Sequence, residues 1–146
     1  MAEIKYENGD FYEGGLLYDK KSGKGKMVYA NGDVYEGEWS SDEKHGKGKM
    51  VYANGDFYEG GWSFNKKSGK GRLVCANGEF YDGEWYSDTL SSGNAKITYE
   101  NGDVYKGGWS YDKKSGKGRL DCANGDVYDG EWYSRSEEHT SELQSP

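Results

Sequence analysis

Three kinds of residue recur in this chain at fixed spacing and could do chemistry. Basic residues cluster as Lys20/Lys21/Lys24/Lys26, Lys66/Lys67/Lys70/Arg72 and Lys113/Lys114/Lys117/Arg119, a pattern able to meet acidic headgroups or an acidic partner. Aromatic pairs four residues apart, Tyr35/Trp39, Tyr58/Trp62, Tyr81/Trp85, Tyr105/Trp109 and Tyr128/Trp132, could stack on a sugar or hold a choline cation. Asn-Gly-Asp triplets start at Asn8, Asn31, Asn54, Asn101 and Asn124, with Asn-Gly-Glu at Asn77, and could offer oxygens to Ca²⁺.

Each possibility has a plainer competitor. One carboxylate per triplet is too few oxygens for calcium, and Asn-Gly is a turn former in its own right. The rings must be the core, because Val, Ile, Leu and Phe together number only 18 while 23 residues are aromatic. The lysines can equally form a solvated margin that keeps a thin sheet soluble. Ser22-Gly23-Lys24-Gly25-Lys26 lacks the residue order of a phosphate loop, and no helix follows it. His45 is the only histidine in the repeats, so a Ser-His-Asp arrangement has no support. Cys75 and Cys122 lie two units apart, about 19 Å in a sheet, too far for an intrachain disulfide. Neither thiol recurs with a histidine or acid as a zinc site would need. The expectation is a protein with no active site, no metal and no cofactor.

The formal charge of −7 argues against nucleic acid as a partner. No apolar run approaches the roughly 20 residues of a membrane helix, and no signal peptide opens the chain. Two cysteines give no disulfide framework, so a reducing, cytoplasmic setting is expected, with peripheral attachment to membrane or cytoskeleton as the variant.

The elements that carry these residues follow from a repeat. The triplets are spaced 23, 23, 23, 24 and 23 residues apart. Each is followed by Tyr-x-Gly, then by Trp in all units but the first, where Leu16 stands. Odd units read Gly-Gly before the Trp position and even units read Gly-Glu; residues 54–87 and 101–134 match at 27 of 34 positions. Segments such as Val34-Tyr35-Glu36-Gly37-Glu38-Trp39 alternate with period two and read as strands. Asn-Gly between two such runs predicts a two-residue type I′ turn. The other link, Ser40–His45, predicts a longer polar loop. That geometry sets Tyr52 opposite Phe57 and Val51 opposite Tyr58. Met50, Tyr52 and Phe57 would then share one face, with Val51, Tyr58, Gly60 and Trp62 on the other. The glycines leave room for rings to lie flat. The bases fall in the long loop and the strand after it, and the acids near the Asn-Gly turn, which predicts one basic margin and one acidic margin.

The string Asn54-Gly55-Asp56-Phe57-Tyr58-Glu59-Gly60-Gly61-Trp62, then Gly69-Lys70-Gly71, resembles the MORN repeat (membrane occupation and recognition nexus). The likeness covers about residues 2–134 in six units. It implies an all-β fold: an elongated antiparallel sheet of stacked hairpins, about twelve strands, with no helix in the array. It implies interaction and assembly rather than catalysis, and some members have been proposed to bind acidic phospholipids. The expected partner is a protein or a second copy, meeting the sheet face or its edges, with anionic lipid as the alternative. Lys66, Lys67, Lys113 and Lys114 are the leading contact candidates. The fourth unit departs at Gly93-Asn94-Ala95, which predicts an irregular rung.

The ends read differently. Residues 1–134 form the array, which starts inside a unit and shows no cap. Residues 135–146 break the pattern at Arg135. Eleven consecutive residues there resemble a translated short-read sequencing adapter, so the tail is expected to be disordered and to carry no function. The array is then expected to be a fragment of a longer protein.

Overall fold

A computed structural model describes residues 2–133; the expected adapter-like tail at 135–146 lies outside them. Twelve strands follow one another: β1 (Ala2–Lys5), β2 (Phe11–Leu17), β3 (Lys20–Val28), β4 (Val34–Ser40), β5 (Glu43–Val51), β6 (Phe57–Ser63), β7 (Lys66–Val74), β8 (Phe80–Tyr86), β9 (Thr89–Thr98), β10 (Val104–Ser110), β11 (Lys113–Asp121) and β12 (Val127–Trp132). They form one antiparallel sheet in chain order, each strand paired with its sequence neighbours. Among the described residues there is no helix.

The two kinds of link are the reverse of the sequence expectation. At Asn54-Gly55 only the glycine has positive φ, 97°. The Gly55 N–H donates to the Tyr52 carbonyl at 3.0 Å and the Tyr52 N–H to the Asp56 carbonyl at 2.8 Å. This is a type I turn closed by a left-handed glycine, a three-residue loop. The link expected to be long is instead two residues. Ser41 and Asp42 have φ of 47° and 72°, and Phe64 and Asn65 have 50° and 69°. Left-handed backbone costs a non-glycine residue about 1–2 kcal/mol. Here the second residue offsets that cost by reaching into the preceding hairpin. Asp42 Oδ1 accepts from the Lys21 N–H at 2.8 Å, and Asn65 Oδ1 from the Lys44 N–H at 2.8 Å.

The extra turn residue moves the register by one, and so exchanges faces. Met50 pairs with Tyr58 and Val51 with Phe57. Met50, Tyr58 and Trp62 are buried together on one face, while Val51 is exposed on the other. One face therefore holds the core and the other faces water.

The solvent face shows a second correction. Charges do not separate into margins; they alternate across the strands. Cross-strand pairing runs Glu13, Lys26, Glu36, Lys49, Glu59, Arg72, Asp82. Each opposite-charge neighbour contributes roughly 0.2–1 kcal/mol, and Arg72 Nη1 meets Asp82 Oδ2 at 3.0 Å. From β2 to β8 the strands that carry acids in this row follow an Asn-Gly turn and those that carry bases precede one, so folding the meander interleaves them.

The irregular rung of unit four is present. Elsewhere the two inner glycines face each other, as Gly37 faces Gly48 and Gly60 faces Gly71. Between β8 and β9, Gly83 faces Gly93 and Tyr81 faces Ala95. Across β9 and β10 the regular pattern resumes, with Ala95 opposite Gly107. The last units are thus offset by two residues along the strand direction. The buried core divides here into two clusters, one ending at Leu90 and the other starting at Ala95.

Candidate interaction surfaces

The core face is a ladder of rings on bare backbone. Tyr12, Tyr35, Tyr58 and Tyr105 are fully buried. Each lies over the glycine of the next strand, Gly25, Gly48, Gly71 and Gly118, leaving no room for a Cβ. Each hydroxyl donates to a backbone carbonyl three residues on, as Tyr35 does to Glu38 at 2.9 Å and Tyr58 to Gly61 at 2.9 Å. The covered glycines also accept from the next unit's indole: Trp39 Nε1 donates to Gly25 at 3.1 Å, Trp62 to Gly48 at 3.0 Å, Trp85 to Gly71 at 2.9 Å and Trp132 to Gly118 at 2.9 Å. Tyr35 stands edge-on to both Trp39 and Trp62, with centroids 5.0 and 5.4 Å away. Burial raises the phenol of Tyr29 to about 12, and those of Tyr81 and Tyr105 also to about 12. Burial raises Tyr35 and Tyr58 as well.

Unit four shows what the glycine does. Ala95 occupies its place, and Tyr81 is only half-buried. Among the described residues, neither Tyr81 nor Trp109 makes the hydrogen bond its counterparts make. Trp109 is half-buried and tilts 48° against Tyr105 instead of meeting it edge-on. Tyr128 is half-buried and Trp132 buried.

The basic residues named from the sequence fall into three settings. Lys21, Lys67 and Lys114 lie on the core face. Lys21 Nζ sits 5.5 Å from the Tyr6 ring, 5.8 Å from Tyr12 and 5.2 Å from Trp39. Lys67 stands over Tyr52, Tyr58 and Trp85, and Lys114 over Tyr99, Tyr105 and Trp132. Lys44 has the same place over Tyr35 and Trp62, and burial lowers its ammonium below the ordinary lysine value. The Lys21 and Lys67 side chains keep 12% and 15% exposure and pair with Asp42 at 3.3 Å and Asp88 at 3.7 Å. These boxes are the places a choline would use, and each already holds a lysine of the chain. In unit four Leu90 replaces the lysine, and Cys75 stands where the outer tyrosine would be.

Lys70, Arg72, Lys117 and Arg119 lie on the solvent face among acids: Lys70 faces Glu84, Lys117 faces Glu131, and Arg119 bonds Asp121 at 3.0 Å. Lys106 stands where Glu59 stands in the third unit, so Lys96, Lys106 and Arg119 are adjacent in one cross-strand row of like charge. Lys20, Lys66 and Lys113 start strands at the margin of two-residue turns.

That margin carries a feature that sequence reasoning missed. Tyr18, Phe64 and Tyr111 are 89%, 69% and 57% exposed, each at the first left-handed position of its turn. Each precedes an Asp or Asn and then Lys20, Lys66 or Lys113. Leu17, Tyr18, Lys20 and Ser22 line a shallow cleft with Ser40 and Ser41. Ser63, Phe64, Lys66 and Ser68 line its counterpart with Tyr86 and Ser87. The recurrence spans two units, so the clefts stand about 19 Å apart at 4.8 Å per strand. The signal was in the sequence: Tyr-Asp-Lys, Phe-Asn-Lys and Tyr-Asp-Lys in odd units, against Ser-Asp in even ones.

The Asn-Gly-Asp triplets are structural. Asp33 N–H donates to Asn31 Oδ1 at 2.9 Å, and Asp33 Oδ1 accepts from the Ala53 N–H of the next turn at 2.8 Å. The carboxylates of Asp10, Asp33, Asp56 and Asp103 each fasten one turn to the next in this way. Among the described residues no three His, Cys, Asp or Glu side chains gather to hold a metal. Both thiols are free, and burial comes first among the causes that raise them above the ordinary cysteine value.

The MORN repeat model matches five consecutive segments, 12–34, 35–57, 58–80, 81–104 and 105–127. No curated protein matches the sequence. Among solved structures, the chain is similar to the SAS-4 (dCPAP) TCP domain of Drosophila melanogaster, solved in complex with a proline rich motif of Ana2 (dSTIL). The identity is 18% over 91% of this chain and 83% of that one, with a TM-score of 0.42. It is also similar to a streptogramin B lyase, at 16% identity over 93% of this chain and 41% of that one, TM-score 0.20. A catalytically inactive virginiamycin B lyase from Staphylococcus aureus matches at 11%, over 93% of this chain and 42% of that one, TM-score 0.22. This chain thus spans less than half of either lyase, and none of the three superposes closely enough to carry an argument about function.

Proposed function

The chain belongs to the MORN repeat family, and we propose that it acts as a non-enzymatic interaction and scaffolding array. The observation that carries this reading is the margin of two-residue turns. There exposed aromatics recur beside lysines at a spacing of four strands, Tyr18/Lys20, Phe64/Lys66 and Tyr111/Lys113. Positive φ is uncommon for a bulky residue, and here it recurs at three exposed rings in equivalent turns. The remaining recurrent groups already serve the sheet: rings on glycines, lysines in aromatic boxes, carboxylates on the next turn. A protein partner touching both equivalent clefts would gain avidity from their spacing. A cytoplasmic setting suits the two free thiols.

Binding to anionic lipid is the second reading, and one observation favours it. Leu16, Leu17 and Phe64 are exposed beside Lys20 and Lys66, which sets apolar anchors next to positive charge. Asp19 and Asp112 in the same turns oppose it.

The test compares the natural chain with the triple variant Tyr18→Ala, Phe64→Ala, Tyr111→Ala in affinity capture and in vesicle sedimentation. The scaffolding reading expects a protein retained by the natural chain and lost from the variant, with no binding to phosphoinositide vesicles at low salt. Vesicle binding that the variant loses, with no protein retained, would transfer the proposal to the lipid reading.

A further inference from the structure

Six Asn-Gly steps occupy the three-residue loops, and five are pinned alike. The side-chain amides of Asn8, Asn31, Asn54, Asn101 and Asn124 donate to the Asp two residues on, at 3.1–3.3 Å. The carbonyl of each amide accepts from the N–H of that same Asp. Both ends of the amide are held. Asn77 differs because the acid after it is Glu79. The offset of unit four turns the Glu79 carboxylate toward the Thr98 N–H. Among the described residues Asn77 keeps only the bond from the Glu79 N–H to its carbonyl, at 3.0 Å. The neighbouring glycine is bare as well. A Cβ on Gly9, Gly32, Gly55 or Gly102 would meet an alanine of the next turn at 3.1–3.2 Å, whereas one on Gly78 would meet nothing within 4 Å. Gly125 is equally open, but Asn124 retains its amide-to-carboxylate bond.

We propose that Asn77 is a site of self-modification by deamidation, set apart from its five counterparts by the unit-four offset. The Gly78 backbone nitrogen attacks Asn77 Cγ, forming a C–N bond. The proton of that nitrogen passes to the side-chain nitrogen, and ammonia leaves. Water then opens the five-membered imide at either carbonyl, giving aspartate or isoaspartate. No oxidant or reductant takes part. The Gly78 N–H is bonded to the Cys75 carbonyl at 2.9 Å, as its counterparts are to theirs, so the nitrogen is equally placed at these sites. The difference lies in the freedom of the amide to turn toward it. The product carries a new carboxylate beside Glu79, whose bond to Thr98 spans the irregular rung between β8 and β9.

The test incubates the folded protein in mildly alkaline buffer and follows each Asn-Gly step by peptide mapping. Asn77 is expected to convert about tenfold faster than Asn31 or Asn54, the factor that one lost hydrogen bond to a charged group supplies. Glu79→Asp, which returns the shorter acid to the triplet, is expected to slow Asn77 toward its counterparts. In urea the difference between sites is expected to vanish. Equal rates in the folded protein, or an Asn77 advantage that persists in urea, would overturn the proposal. So would a Glu79→Asp rate equal to that of the natural chain.

Discussion

The ring of Tyr58 rests directly on the backbone of Gly71, and the carbonyl of that same glycine accepts the indole N–H of Trp85 at 2.9 Å. Three successive strands are thereby fastened through one residue with no side chain. Gly71→Ala would put a methyl group into the phenol ring. Overpacking of this kind costs about 1–3 kcal/mol, and urea denaturation is expected to show a loss in that range. Gly69→Ala serves as a contrast, because there a Cβ meets nothing within 4 Å and the cost comes from backbone alone, φ being 75°.

Trp62→Phe keeps most of the buried area but removes the donor to Gly48. Loss of this part-buried hydrogen bond costs about 1 kcal/mol. The expected result is a destabilised sheet whose strands still form by circular dichroism. In the natural chain, iodide should quench tryptophan fluorescence weakly, because Trp39, Trp62, Trp85 and Trp132 are buried.

Two lysines adjacent in sequence should behave differently. Lys67 stands over three rings and pairs with Asp88, while Lys66 is exposed at the margin. Lys67→Met is expected to lose about 1 kcal/mol of stability. Lys66→Met is expected to change stability by less than about 0.5 kcal/mol. The readout is the midpoint of urea unfolding in each variant.

The sheet should unfold in alkali. Unfolded tyrosines ionise near 10, whereas Tyr29, Tyr81 and Tyr105 hold their protons to about 12 in the fold, with burial as the main cause. Their contribution is complete below pH 10 and is lost as pH rises from 10 toward 12, since the unfolded chain releases protons that the folded chain keeps. Lys44 acts in the opposite sense. Its lowered value means that the penalty for its buried charge is relieved as pH rises toward the ordinary lysine range. One lysine is outweighed by several tyrosines. The phenols of Tyr29, Tyr81 and Tyr105 should therefore ionise together with the loss of far-UV circular dichroism, cooperatively above pH 10. Ionisation of these three phenols near pH 10 with the sheet intact would contradict this account.

The repeat period, the strand count, the single all-β sheet and the role of the rings as core are legible in the amino-acid sequence, because they depend on local spacing and composition. Period two makes strands, and rings must be buried when aliphatics are few. The glycines can be read as seats for rings for the same reason. The turn types cannot, because Asn-Gly satisfies two loop geometries that differ by one residue. What distinguishes them is the Asp33 bond to Ala53 and the Asp42 bond to Lys21, contacts 20 and 21 residues apart that exist only once hairpins are side by side. That single residue decides which face is wet, which is why Val51 and Met50 exchange places against expectation. Charge follows the same logic: acids and bases segregated along the chain become alternating neighbours across it. Pairing also places Lys67 inside an aromatic box and leaves Lys66 outside. Local order along the chain thus sets which residues repeat and what each kind can bury. Which of those repeated residues stay free to meet anything else is settled by strand pairing, because availability depends on neighbours a full unit away.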